Sequence, residues 1–426
     1  MASQSSTRTY VNSDLMSMVK VLPLQKQYQI KDKILEERLA KLLPKLQKES
    51  GIDVWLVPSK EYNEDPVFTL LTPTAFPTAR RISLLVLHKS GRRFCINLPD
   101  QDLEKYYKNI IARDANNQLE SLAKLLKKLK PKTIGLNYSD DFALSDGISV
   151  GLYNWLNKLP EEFTKCFVSA QELAIRFLET RCDKELEYYP EVAKLATDII
   201  AKAYSSDVIL AGVTTCEDVE WFLKNSVKNL GLNYWFEPTI DLQRKSGSYS
   251  GKTIIEKGDF IHCDFGIEYL NLCTDTQRLA YVLKDDEKDI PTVIKSGFKE
   301  NNLFQDIVAS CYRKGKTGNE VFENSLEIAK EKGINAMLYT HPLGTHGHAA
   351  GPTIGLYTDQ NPQPIKGDLK VFDNTAYALE LNTRVQVEDY DEELVFYTEE
   401  SVIFKDNKLQ YLSKGRDKIA IIRSKV

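Results

Sequence analysis

No CxxC pair occurs among the seven scattered cysteines (Cys95, Cys166, Cys182, Cys216, Cys263, Cys273 and Cys311), so the thiolate spacing that closes a zinc ribbon is excluded. An odd number of unpatterned thiols fits a reducing compartment. Nowhere do about eighteen apolar residues follow one another, which removes a membrane-spanning helix from consideration. The start, MASQSSTRTYVNSDLMSMVK, lacks the basic residues and apolar run of a signal peptide, and the expectation is an unexported, cytoplasmic protein. An excess of charge is also missing: 56 Lys and Arg stand against 60 Asp and Glu, a formal net charge of -4. No global field therefore favours nucleic acid or an anionic membrane, and a small molecule or peptide is the better partner.

The 426 residues exceed what one hydrophobic core organises, and 42% hydrophobic with 10% aromatic residues is ample packing material, so two domains are expected. Residues 28–50 carry Ile30, Ile34, Leu39, Leu42, Leu43 and Leu46 at helical spacing, with Gly51 as the stop. IDVWLVP, RRISLLVLH, RRFCINL and TIGLNY read as strands, the middle two joined by the turn KSG, and a Lys-rich helix falls near 116–129. Helices alternating with strands make residues 1–178 an α/β domain. From Asp183 a long amphipathic helix carries Leu186, Tyr189, Val192, Ala196, Ile199, Ile200 and Ala203 in one stripe, and Pro190 must sit in its first turns or kink it. A second helix starts near VTTCEDVEWF, capped by Thr214 or Thr215. Beyond Gly251 the sequence reads mostly as strand, and residues 179–426 form the second domain.

Chemistry concentrates there. EKGDFIHCDFGIEYLNLCTDTQRLAYVL reads as a hairpin with Asp264 on one arm and Asp275, eleven positions on, on the other. Side chains so placed can share a face, and two carboxylates meeting inside a sheet repel unless a cation lies between them. A divalent metal resolves this, and aspartate oxygens suit manganese, zinc or cobalt; taken alone, the two read first as turn or surface residues of an ordinary hairpin. Three of only five histidines, His341, His346 and His348, fall in THPLGTHGHAAGPTIG, and His262 lies two residues before Asp264. Glu380 in AYALELN and Glu399 in FYTEESVIF sit in strand-like stretches where an unpaired carboxylate is costly to bury.

The order KGDFIHCDFG, TDTQR, GHAAG, LEL and TEES resembles the pita-bread metallopeptidases: Xaa-Pro aminopeptidase, Xaa-Pro dipeptidase (prolidase) and methionine aminopeptidase. The amino-terminal domain resembles that of the creatinase and Xaa-Pro branch. The resemblance implies an α+β protein in which a smaller α/β domain precedes a pita-bread catalytic domain. It implies two divalent ions, manganese first, held by Asp264, Asp275, His348, Glu380 and Glu399. His348, with a glycine before it and Gly351 three after, is preferred to His346 on the motif. The implied activity is a metal-dependent aminopeptidase or dipeptidase hydrolysing the N-terminal bond of short peptides, of Xaa-Pro type, by hydroxide bridging the ions. Glu380 is then the general base, and a homodimer is implied. Two histidines customary in the family are replaced: EPTIDLQRKSGSYSGKTI has none, and GLYTDQNP offers Tyr357 and Thr358. Tyr397 stands where the family carries arginine, and Leu381-Asn382 where it carries Pro-Gly. His341, His346 or His262 are the candidates to supply the lost donor. A creatinase-like C–N hydrolase and a catalytically silent metal-binding member are the competing readings.

Overall fold

The computed structural model describes residues 20–387 and 390–424. Its residues group into two compact units, one of 23–187 with 348–351, the other of 188–347 and 352–426 with the first described residues.

In the first unit, strands β1 (Val54–Lys60), β2 (Ile82–His88), β3 (Arg93–Asn97), β4 (Lys108–Ile111), β5 (Ile134–Leu136) and β6 (Phe167–Ser169) make one sheet in the order β4-β3-β2-β1-β5-β6. β2 and β3 pair antiparallel around the KSG turn, as the alternation predicts. Helix α1 (Leu24–Glu37) runs through a π segment (Arg38–Leu42) into α2 (Leu43–Ser50), which stops at Gly51, φ 70°. Pro44 lies at the start of α2 and has no N–H to return to Ala40, which fits a widened turn just before it. Helix α3 (Ala115–Leu129) is capped by the Asp114 side chain on the backbone N–H groups of Asn116 and Asn117. It buries Leu122, Leu125, Leu126 and Leu129 with Val54, Leu84, Val86 and Ile134 of the sheet. The Glu185 carboxylate accepts from Arg38 at 2.7 Å and from Arg181 at 2.8 Å, all three side chains nearly inaccessible.

Helix α4 (Asp183–Ala203) contains Pro190. Helix α5 (Cys216–Asn229) is capped by Thr215, whose hydroxyl accepts from Asp218 N–H while the Asp218 carboxylate takes the Thr215 N–H. The second unit's large sheet is built from β8 (Thr239–Arg244), β9 (Gly247–Ser250), β10 (Phe260–Phe265), β13 (Thr276–Val282), β14 (Ala336–Leu338), β16 (Thr375–Val385) and β17 (Leu394–Lys405). Their order is β14-β16-β17-β13-β10-β8-β9; β15 (His341–Leu343) pairs β16, β18 (Lys408–Tyr411) pairs β17 and β19 (Ala420–Ile422) pairs β13. Three short strands, β7 (Asn233–Tyr234), β11 (Ile267–Tyr269) and β12 (Leu272–Cys273), form a separate small sheet. The predicted hairpin is thus two nested ones: β10 pairs β13, and β11–β12 closes the connection.

Two helices interrupt the region that reads as strand, α6 (Thr292–Cys311) and α7 (Gly318–Glu331). They pack Phe304, Val308, Val321 and Phe322 against Tyr377, Leu379, Leu381, Val402 and Phe404. Strand residues alternate faces, so on β16 and β17 the apolar positions meet the helices while Glu380, Asn382, Tyr397 and Glu399 point the other way.

Candidate metal centre

Sheet register, more than sequence proximity, assembles the site. Asp264 on β10 pairs with Gln277 on β13, Gln277 with Glu399 on β17, and Glu399 with Glu380 on β16. Directly opposed residues share a face, so four strands contribute one row: carboxylate, amide, carboxylate, carboxylate. Asp275, two before Gln277, joins from the same face. His341 on β15 pairs with Ala378, two before Glu380, and so enters from the far side. Its Nε2 lies 3.4 Å from Asp275 Oδ2 and 3.7 Å from Glu399 Oε1. Its Nδ1 is 2.9 Å from the Pro342 carbonyl oxygen, which fixes Nδ1 as the protonated nitrogen and turns Nε2 toward the carboxylates.

The charge balance is unfavourable as it stands. Asp275 and Glu399 are 4% and 1% exposed, and buried carboxylate atoms without a hydrogen-bond partner include Asp264 Oδ1, Asp275 Oδ1 and Glu399 Oε1. Burial first, then the neighbouring carboxylates led by Asp275, push Glu399 and Asp264 well above the ordinary range. Burial, then Asp275, pushes Glu380 up to about 7, against the pull of His341 and a hydrogen bond from Gln277. For His341 burial opposes the charged ring, but Asp275 and Glu380 outweigh it and raise its pKa. Ligand atoms of Asp275, His341 and Glu399 all lie within 4.8 Å of one another. Acceptor-only oxygens crowded together without donors are what a cation needs, and the residues present fit a divalent metal.

Of the sequence candidates, Asp264, Asp275, Glu380, Glu399 and His341 are brought together. His346 and His348 lie outside the three-residue group; His348 is exposed and groups with the other unit. The backbone that carries them is compact: a Cβ on Gly347 would fall 2.2 Å from the Trp235 ring. The Trp235 indole in turn donates to the Thr274 carbonyl beside Asp275, at 2.8 Å.

Asp264 and Glu380 reach the wall of a cavity of about 410 Å³, together with Asp241, His262, Gln277, Tyr339, Tyr357 and Tyr397. Tyr357 and Tyr397 thus face this space. Sequence reading missed Asp241 and Gln277. Asp241 pairs with His262 across β8 and β10, and only that register, invisible in the linear order, could have picked it out. For Gln277 the signal was there: it shares the face of Asp275 by its spacing of two.

Residues 187–389 match metallopeptidase family M24. A Mycoplasma pneumoniae protein named, by inference, a Xaa-Pro aminopeptidase is 21% identical over 206 residues, 48% of this chain and 56% of its own length. The match thus spans about half of that relative. Among solved structures, an X-Pro aminopeptidase from Thermotoga maritima superposes with a TM-score of 0.64 at 18% identity, covering 88% of this chain and 99% of its own. A Xaa-Pro dipeptidase from Bacillus anthracis gives 0.60 at 18%, covering 92% and 99%. The N-terminal domain of the FACT complex subunit SPT16 from chickpea also gives 0.60, at 10% identity, covering 91% and 99%. At these identities the likeness establishes the fold, and activity has to be argued from the site.

Proposed function

Because the chain carries a metallopeptidase family M24 domain, we propose that it is a metal-dependent exopeptidase that hydrolyses the N-terminal peptide bond of short peptides, of Xaa-Pro type. The observation that carries this reading is the convergence of four carboxylates and one imidazole, three carboxylate oxygens among them buried without a hydrogen-bond partner. We assign Asp264, Asp275, His341, Glu380 and Glu399 as ligands of two divalent ions, manganese before zinc or cobalt. His341 takes the place that motif spacing gave to His348, because His341 is the histidine that reaches Asp275 and Glu399. A set dominated by carboxylate oxygens suits hard ions.

When bound, the ions would lower the pKa of water and polarise the scissile carbonyl. Glu380, which lines the cavity, is the group that would take the proton of the attacking water and return it to the leaving nitrogen. Asp241 and Asp264 give the cavity an acidic wall, which favours the cationic amino end of a peptide. Neither His346 nor His348 is assigned a step.

The seven free cysteines fit a cytosolic setting, and no described helix is long and apolar enough to cross a membrane. The homodimer implied by the resemblance is a further proposal, readable by analytical ultracentrifugation. The activity is tested by incubating the manganese-loaded protein with Xaa-Pro and non-proline di- and tripeptides and identifying products by mass spectrometry. Release of the first residue is expected, fastest before proline. Intact peptides throughout would favour a binding role on the same fold.

A further inference from the structure

Gln277 is the one residue of the four-strand row that cannot carry charge, and it is 3% exposed. Its amide Nε2 donates to Glu380 Oε1 at 2.7 Å. Its Oε1 lies 3.0 Å from His262 Nε2, and His262 Nδ1 lies 2.7 Å from Asp241 Oδ2. The direction of every bond in this chain follows from its two ends. An ionised carboxylate only accepts, so the amide must turn its NH2 to Glu380. Its oxygen then faces His262, whose Nε2 must carry a proton. The other ring nitrogen, Nδ1, faces the Asp241 carboxylate at 2.7 Å, which holds the ring in place. The Tyr397 ring, 5.1 Å from the imidazole centroid to centroid, covers it.

The consequence falls on Glu380. It stands directly opposite Glu399, a placement in which like charges repel, and a free carboxylate there would rotate away. The Gln277 amide commits Oε1 to one donor and so fixes the plane in which Oε2 is presented. We propose that Gln277 is a positioning residue that orients Glu380 for its work at the metal centre, with Asp241 and His262 setting the direction of its amide. The inference rests on the metal assignment above and goes beyond it. It places a relay, Asp241–His262–Gln277–Glu380, along the wall of the cavity, and it makes His262 a support rather than a group that meets substrate, since both ring nitrogens are engaged.

The test is manganese affinity of the full chain, by isothermal titration, for the wild type, Gln277→Met, Asp241→Leu, Asp241→Asn and the Gln277→Met/Asp241→Leu pair, with kcat and KM measured in parallel. Methionine keeps the length of glutamine and removes both hydrogen bonds. Losing a partner that orients a metal ligand costs roughly 10–100-fold in affinity or activity, and that loss is expected for Gln277→Met, with kcat falling more than KM changes. In manganese affinity, which Asp241 does not enter as a ligand, Asp241→Leu is expected to lose less and Asp241→Asn, which still accepts from Nδ1, to stay near the wild type. The pair is expected to be no worse than Gln277→Met alone, because Asp241 acts through the amide. Should Gln277→Met not fold, the contrast between Leu and Asn at position 241 decides. Wild-type affinity in Gln277→Met, additive losses in the pair, or equal losses for both position 241 variants would each overturn the proposal. A wild type that binds no manganese would overturn the metal assignment itself.

Discussion

Glu399 and Glu400 are neighbours in sequence and opposites in environment. Glu399 faces the carboxylate row, with Oε1 lacking a hydrogen-bond partner, whereas Glu400 turns to the other face and meets Arg278 at 2.7 Å, both ends buried or nearly so. Their neutral substitutions should therefore separate. Glu400→Gln leaves Arg278 without its buried partner and should destabilise the protein by roughly 3–5 kcal/mol. Glu399→Gln relieves repulsion, and should leave metal-free stability unchanged or raised while manganese binding is lost. Urea unfolding of the two metal-free variants checks the pair of outcomes; equal destabilisation would contradict the separate roles.

The titration of the row gives a second residue-scale outcome. Asp264, Glu380 and Glu399 all have raised pKa values in the folded protein. Raised acids favour the protonated form, so their contribution to stability is full below the unfolded values and is lost as pH rises, for Glu380 between 4.5 and about 7. His341, also raised, acts in the same direction. The metal-free protein should lose stability from this cluster as pH rises from about 4.5 through about 7. Added manganese should restore it, raising Tm more at the alkaline end. Thermal melts with and without the ion at both ends read this directly; a larger metal-dependent gain at acid pH would contradict it.

At the scale of elements, most of what builds the site was legible. The alternation in FIHCDFG and TQRLAYV gave β10 and β13, and the Asp264–Asp275 spacing gave a shared face because the nested β11–β12 hairpin preserves it. Capping at Thr215 was legible for a local reason, since the hydroxyl and Asp218 are three residues apart. Helices α6 and α7 were not. Gly297 and the polar run around Asn301 and Asn302 obscure α6, yet each has a tertiary reason. Gly297 lets the Phe396 ring approach to 2.4 Å of where a Cβ would stand, and Asn301 donates to the Phe396 carbonyl at 2.7 Å. Among the histidines, motif spacing favours His348, whereas the pairing of β15 with β16 brings His341 to the carboxylates. Gly347→Ala tests how tightly that tract is held. Its Cβ would collide with Trp235, and overpacking costs typically about 1–3 kcal/mol, so a lower Tm with weakened metal binding is expected from calorimetry.

For the whole molecule, length and pattern lead to a division near residue 178, whereas the compact units group residues by contacts that composition does not encode, 348–351 falling with 23–187. The amino-terminal unit has its own buried core and its own Arg38–Glu185–Arg181 cluster. The carboxy-terminal unit carries the row that repels itself without a cation. What the molecule does thus hinges on whether that row is filled and put to use. The most direct measurement is release of the first residue from an Xaa-Pro tripeptide by metal-stripped protein, titrated with manganese, for the wild type and for Asp275→Asn. Without metal no cleavage is expected; with manganese, activity should rise to a plateau near two equivalents, and the variant should show none at any concentration. Cleavage that ignores manganese, or that survives Asp275→Asn, would contradict that expectation.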